Sequence, residues 1–171
     1  MAVIPGDRHR DGLVLELTLA ENLHLREAFD RRFEAELGGR WTLHPGRLRA
    51  RAHARLEAFG VRPPEPELPA AALSGGNQQK VVVARELARA PAVLLASNPT
   101  RGLDVAAAAA VHERILAAAR ADGAGVLLVS SDLDEVLLLA DRVAVLYDGV
   151  LREVGARGVS REAVGRAMVG A

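Results

Sequence analysis

The chain is expected to form an α/β fold, with helices first and a parallel sheet after them. Three observations carry this expectation. Between Thr18 and Arg89 the apolar residues recur at helical spacing, as in Leu25, Ala28, Phe29, Phe33 and Leu37. After Pro91 the period changes. Val93-Leu94-Leu95-Ala96 and Val126-Leu127-Leu128-Val129 are unbroken apolar runs, the pattern of strands buried on both faces of a parallel sheet. An Ala-rich helical stretch separates these two runs, and a strand–helix–strand order requires crossovers between parallel strands.

The totals fit one domain. The 171 residues suffice for a real core, and with 50% hydrophobic but only 3% aromatic residues that core should be aliphatic. The formal net charge is zero, from 22 basic and 22 acidic side chains, which argues against nucleic acid as the main partner. There is no cysteine, so disulfides and thiolate metal sites are excluded. No leader pattern opens the sequence, and no run approaches the ~18 apolar residues of a membrane span, so the chain reads as soluble or peripheral. The five histidines lack metal spacing and read as surface or packing residues. Lys80 is the only lysine. It stands between Gln79 and Val81, so it cannot end a Gly-x-x-x-x-Gly-Lys-Ser/Thr phosphate loop, and the chain has no such loop.

In chain order, Met1 to Ile4 is a strand stub, and Pro5 to Gly12 is a charged, solvated turn. Thr18-Leu19-Ala20-Glu21 fits a capping box and opens a helix to about Leu37, stopped by Gly38-Gly39. Trp41 to Pro45 is irregular. Gly46 to Phe59 is a second helix carrying Arg47, Arg49, Arg51 and Arg55, a solvated or partner-facing surface in a neutral chain. Pro63 to Pro69 is a stiff extended connector. The helix after Ser74 runs to about Arg89. A strand over 93–96, a helix over 105–120 and a strand over 126–129 follow. Ser130-Ser131-Asp132 caps a short helix to about Leu139. Arg142 to Tyr147 is a strand, Asp148-Gly149 is a hairpin turn into 150–154, and Ser160 caps a last helix.

The stretch with most chemistry is Leu73-Ser74-Gly75-Gly76-Asn77-Gln78-Gln79-Lys80, just before the run Val81-Val82-Val83-Ala84. Ser74 is a good N-cap residue, and two glycines leave the first-turn N–H groups uncovered. A helix N-terminus of this kind can receive an anion. In parallel α/β sheets ligands sit at the C-terminal ends of strands, where the loops 97–104 and 130–135 fall.

These motifs together, Leu73 to Lys80, Ser97 to Asp104 and Val129 to Glu135, resemble the ATP-binding cassette ATPases. The octet and Pro99-Thr100-Arg101-Gly102-Leu103-Asp104 are similar to the two-cassette importers for simple sugars and nucleosides. Pro5 to Leu13 and Ala20-Glu21-Asn22-Leu23 resemble their second cassette, and the likeness runs over nearly the whole chain. It implies a partial P-loop NTPase core that lacks the P-loop strand, joined to a helical subdomain. Residues 1–19 would then follow the glutamine-loop region, 20–90 would be the helical subdomain ending in the signature helix, and 91–171 would be the C-terminal part of the core.

In that family two cassettes face each other, and each ATP lies between the phosphate loop of one and the signature helix of the other. The resemblance therefore implies that Ser74, Gly75, Gly76 and Gln78 contact the γ-phosphate of ATP held with Mg²⁺ by a partner cassette, and that Asp104 is the D-loop aspartate at the same interface. It also implies membrane-spanning permease subunits as partners and a cytoplasmic, peripheral location on the inner face of the membrane.

Several positions depart from the family pattern. The strand-end acidic pair is replaced by Ser97 and Asn98, the switch histidine by Ser131, and the sensing glutamine by Gly6. Mg²⁺ prefers anionic oxygens, and an asparagine amide cannot act as a general base. Hydrolysis by the chain alone is not expected. The family's phosphate loop would precede Met1, so a truncated cassette is expected, with a gap in the sheet between strands 126–129 and 142–147, an uncovered apolar edge and poor stability in isolation. The alternative is a non-catalytic regulatory or interaction module derived from a cassette. A nucleic-acid repair ATPase fits less well with the neutral charge.

Overall fold

The computed structural model describes residues 1–27 and 44–170, which form two compact units, Met1–Leu127 and Leu128–Ala171. The first helix, expected to run to about Leu37, ends at His24, and Leu25–Glu27 leave the α-helix; Phe29, Phe33 and Leu37, the glycine stop and the start of the irregular stretch at Trp41 lie outside the described residues.

The first unit begins with strand β1 (Ala2–Ile4) and a π-helical turn at Arg8–Gly12. Helix α1 (Leu19–His24) starts where the capping box places it. Thr18 Oγ1 accepts from the Glu21 N–H at 3.2 Å, and Glu21 Oε2 accepts from the Thr18 N–H at 2.8 Å. Helix α2 (Pro45–Ala58) has proline in its first turn and ends before Gly60, whose φ of 66° suits a residue with no side chain. Helix α3 (Gly75–Leu87), strand β2 (Val93–Ser97), helix α4 (Val105–Arg120) and strand β3 (Gly125–Val129) follow within a residue or two of expectation. β1 and β2 pair in parallel, Ala2 opposite Leu94 and Ile4 opposite Ala96, and the sheet order is β1-β2-β3.

α3 is the hub of this unit. It packs on β1, on the turn at 8–12 and on α1, α2 and α4. Val81, Val82, Val83 and Ala84 are all buried, joined in the core by Leu19, Leu23, Leu56 and Leu94. The connector at 63–69 differs from a free spacer. Leu68 and Pro66 carbonyls accept from the N–H groups of Leu19 and Ala20, and the Leu17 carbonyl accepts from Ala70.

The basic helix α2 also differs from the solvated surface expected of it. Arg55 turns inward onto Glu27, Nη2 to Oε1 at 2.9 Å, and Arg51 approaches the same oxygen at 3.7 Å. Glu27 is almost wholly buried, and its other oxygen meets His24 Nδ1 at 2.7 Å. Burial opposes ionisation of Glu27, but His24, Arg55 and Arg51 outweigh it and hold the carboxyl below the usual glutamate range.

The second unit holds helix α5 (Leu133–Leu139), a hairpin of strands β4 (Arg142–Tyr147) and β5 (Val150–Ala156), and helix α6 (Arg161–Met168). Asp132 and Ser160 cap their helices as expected. Its core gathers Val143, Val145 and Val164 with Leu133, Val136 and Val159 around them.

The two apolar strand runs do not bury both faces. In β2, Leu94 and Ala96 are buried while Val93 is exposed; in β3 no residue is fully buried, and Leu127 and Val129 are 60% and 50% exposed. The reason is topological. β3 ends the three-stranded sheet, and β4 pairs with β5 in a separate two-stranded sheet, so no described strand lies on the outer edge of β3.

Candidate functional site

The site is built around the first turn of α3. Ser74 takes the extended backbone of an N-cap residue, at φ −62° and ψ 156°, yet its hydroxyl caps no N–H group. It accepts instead from Asn77 Nδ2 at 3.2 Å, and Asn77 Oδ1 is spent on the Arg62 N–H at 3.0 Å. The Ser74 side chain is exposed, and its own proton is free to be donated outward. Among the described residues the first-turn N–H groups thus meet no side-chain cap, and the positive end of a 13-residue helix is left open.

The two glycines have separate reasons. A Cβ on Gly75 would lie 2.7 Å from Nη2 of Arg8, and one on Gly76 would lie 2.9 Å from the Cβ of Ala107. The first leaves room for a guanidinium. The second lets the starts of α3 and α4 approach closely. Asp104 caps α4, its Oδ1 accepting from the Ala107 N–H at 2.8 Å, and its Oδ2 lies 4.0 Å from the same Gly76 position. Ser74, Gly75, Gly76 and Asp104 therefore share one surface.

Gln78 does not join them. It is buried, its Nε2 donates to the Ala70 carbonyl at 3.1 Å, and its Oε1 pairs with His9 Nε2 at 2.8 Å. The resemblance made Gln78 a phosphate contact; the side chain instead braces α3 from within, because helical spacing turns the fourth helical residue toward the core. Gln79 is braced likewise, Nε2 donating to the Pro99 carbonyl at 2.6 Å.

At the end of β2 the chemistry is neutral. A Cβ on Gly6 would lie 3.1 Å from Ser97 Oγ, so the ends of β1 and β2 bring these two expected positions together. Asn98 adopts φ 41°, a left-handed backbone that asparagine tolerates. Ser97 and Asn98 offer no anionic oxygen for Mg²⁺. Among the described residues no group of three or more His, Cys, Asp or Glu could hold a metal ion. These residues do not fit a resident Mg²⁺, whereas the uncapped turn of α3 fits one edge of a phosphate. Ser131 belongs to the second unit, exposed in the turn before α5.

The segment at 5–12 is more than a solvated turn. Asp7 Oδ1 accepts from His9 and Arg10 N–H groups at 3.0 and 3.1 Å, and the Arg10 and His9 amides hold the Asp7 carboxyl below its ordinary range. Arg8 and His9 then reach α3. The alternation of charge in Asp7-Arg8-His9-Arg10-Asp11 gave no sign of which side chain turns inward.

No protein-family model matches the chain. The chain is 41% identical over 168 residues to the nucleoside import ATP-binding protein NupA of Lactococcus lactis subsp. cremoris, covering 98% of this chain and 32% of that protein. It is 39% identical over 168 residues to the guanosine import ATP-binding protein NupO of Bacillus subtilis, again 98% of this chain and 32% of the relative. The glucose import ATP-binding protein TsgD13 of Haloferax volcanii is 42% identical over 173 residues, 99% of this chain and 30% of that protein. The chain thus spans about a third of the length of these relatives. Among solved structures, the ATP-binding cassette MJ0796 in a dimeric post-hydrolysis state with ADP and Pi superposes with a TM-score of 0.72 at 27% identity, over 92% of this chain and 63% of that one.

Proposed function

The chain belongs to the ATP-binding cassette ATPases, and from that premise we propose that it supplies the signature turn of α3 to an ATP molecule held by a second cassette, within an importer of sugars or nucleosides. The observation that carries this reading is the uncapped first turn beside an exposed serine hydroxyl. Its donors meet no side-chain cap among the described residues, so they suit an anion carried in on another surface. Ser74, Gly75 and Gly76 would meet the γ-phosphate, and Asp104 would lie at the same interface. The ATP and Mg²⁺ that this turn meets would be carried on the second cassette; at the end of β2, Ser97 and Asn98 offer no anionic metal ligand.

Membrane-spanning permease subunits would complete the assembly on the cytoplasmic face of the membrane. Among the described residues no helix is long and apolar enough to cross a membrane. The test is Ser74→Arg in the assembled importer. A bulky cation in place of the hydroxyl is expected to lower the partner site's ATP hydrolysis about 100-fold, the scale of losing one well-placed donor. Unchanged hydrolysis refutes the signature role and leaves a non-catalytic interaction module.

A further inference from the structure

Arg8 has no role in the reading above, and its surroundings call for one. Its backbone is fixed by the π-helical turn, with the Asp11 N–H donating to the Asp7 carbonyl at 3.0 Å and the Leu13 N–H to the Arg8 carbonyl at 2.8 Å. Gly12 lets this turn sit against α3, since a Cβ there would lie 3.3 Å from both the Arg8 Cβ and Val82 Cγ2. The side chain then extends along the start of α3. Nη2, Cζ and Nε lie 2.7, 3.4 and 3.8 Å from the position a Gly75 Cβ would take. Nη1 donates to the Arg101 carbonyl at 3.3 Å.

Electrostatics alone do not explain this placement. A guanidinium at the positive end of a helix is unfavourable. No ion-pair partner of Arg8 exists among the described residues, and its Nε is buried without a hydrogen-bond partner. What the placement does supply is a two-pronged contact. One prong lies on Gly75. The other holds the loop between Asn98 and Asp104, whose turns are closed by Arg101 N–H to Asn98 and Leu103 N–H to Thr100, both at 3.1 Å. That loop delivers Asp104, the cap of α4.

We infer that Arg8 is a positioning residue that sets the Gly75 turn in register with the 98–104 loop, so that Ser74 and Asp104 are presented together. This rests on the proposed signature function and adds a residue to it. It also gives Gly75 a cause: the glycine is there to admit a guanidinium. Lysine cannot substitute, because a single ammonium has no planar fork to span two points.

The test uses three substitutions, Arg8→Ala, Arg8→Lys and Gly75→Ala, and two readouts. In the assembled importer, Arg8→Ala is expected to raise the ATP concentration for half-maximal hydrolysis about tenfold while the maximal rate stays within about twofold, the scale of a lost coupling between neighbouring elements. Arg8→Lys should match Arg8→Ala. Gly75→Ala should cost several-fold less when Arg8 is already alanine than when it is present. The second readout needs no partner: in the 171-residue chain, amide exchange at 75–77 and 101–104 should quicken in Arg8→Ala and in Arg8→Lys alike. Arg8→Lys behaving as the unsubstituted chain, or equal cost of Gly75→Ala in both backgrounds, overturns the inference. If Ser74→Arg leaves hydrolysis unchanged, the signature reading falls on its own, and the exchange measurement still decides whether the clamp exists.

Discussion

The first turn of α3 and the end of β2 sit in the same unit, joined by the Gln79 to Pro99 hydrogen bond at 2.6 Å, and they are opposites in chemistry. The helix end has more donors than acceptors, an exposed hydroxyl and two glycines that each admit a close neighbour. The strand end has a hydroxyl, an amide and a facing glycine, with no ionised oxygen among them. A site that binds ATP and breaks its β–γ phosphoanhydride bond needs both kinds of end. A surface that completes a site elsewhere needs only the first. Gln78 braces the helix end from within, through Ala70 and His9, while Gln79 ties that end to the loop after β2.

The same kind of substitution made at both ends sharpens the contrast most. Ser74→Arg should lower partner hydrolysis about 100-fold, while Ser97→Ala should leave it within about twofold. Comparable losses at both ends would break the comparison. The strand itself should matter to folding. Leu94→Ala, at a position with 0% exposure, should cost about 2–5 kcal/mol in chemical unfolding, and a loss under about 1 kcal/mol would mean that β2 does not frame the site.

Glu27→Gln comes next. Removing a charge that pairs with His24 and Arg55 should cost about 2–3 kcal/mol, somewhat under the usual range for a buried pair because Arg51 is partly exposed. The Glu27 carboxyl is held low in the folded chain, so its stabilisation is present above the ordinary glutamate range and is lost as pH falls through the folded value. The variant should show a flatter acid limb when Tm is followed against pH; an unchanged limb would remove Glu27 as its source. Smallest is Leu127→Ser on the exposed edge of β3, expected to change stability by under about 0.5 kcal/mol while lowering aggregation.

Local chemistry made much of the fold legible. Thr18, Asp132 and Ser160 each carry an oxygen that a nearby N–H seeks, so helix starts can be read from a few residues. Apolar runs placed the strands. They could not tell how many faces would be covered, because that depends on which strands pair, and β3 and β4 do not. At the site, Ser74, Gly75, Gly76 and Asp104 were legible as a motif, and the structure gathers them on one surface. The burial of Gln78 was not legible, because a motif names residues without saying which way the helix turns them. Arg8 was missed because its partners, Gly75 and Arg101, are remote in sequence. The inward turn of Arg51 and Arg55 was hidden for the same reason: only the burial of Glu27 distinguishes them from Arg47 and Arg49.

Lys80 closes the last exposed turn of the motif by donating from Nζ to the Gly60 carbonyl at 3.0 Å, just past the end of α2. Since it is the only lysine, amine-directed chemistry finds a single side chain in these 171 residues, and that side chain lies on the hub helix. A reductively methylated Lys80 keeps its charge and gives one isotope-labelled side-chain signal, distinct from that of the terminal amine. The chemical shift of that signal would report, without any mutation, whether the helix that bears the signature turn is seated against α2.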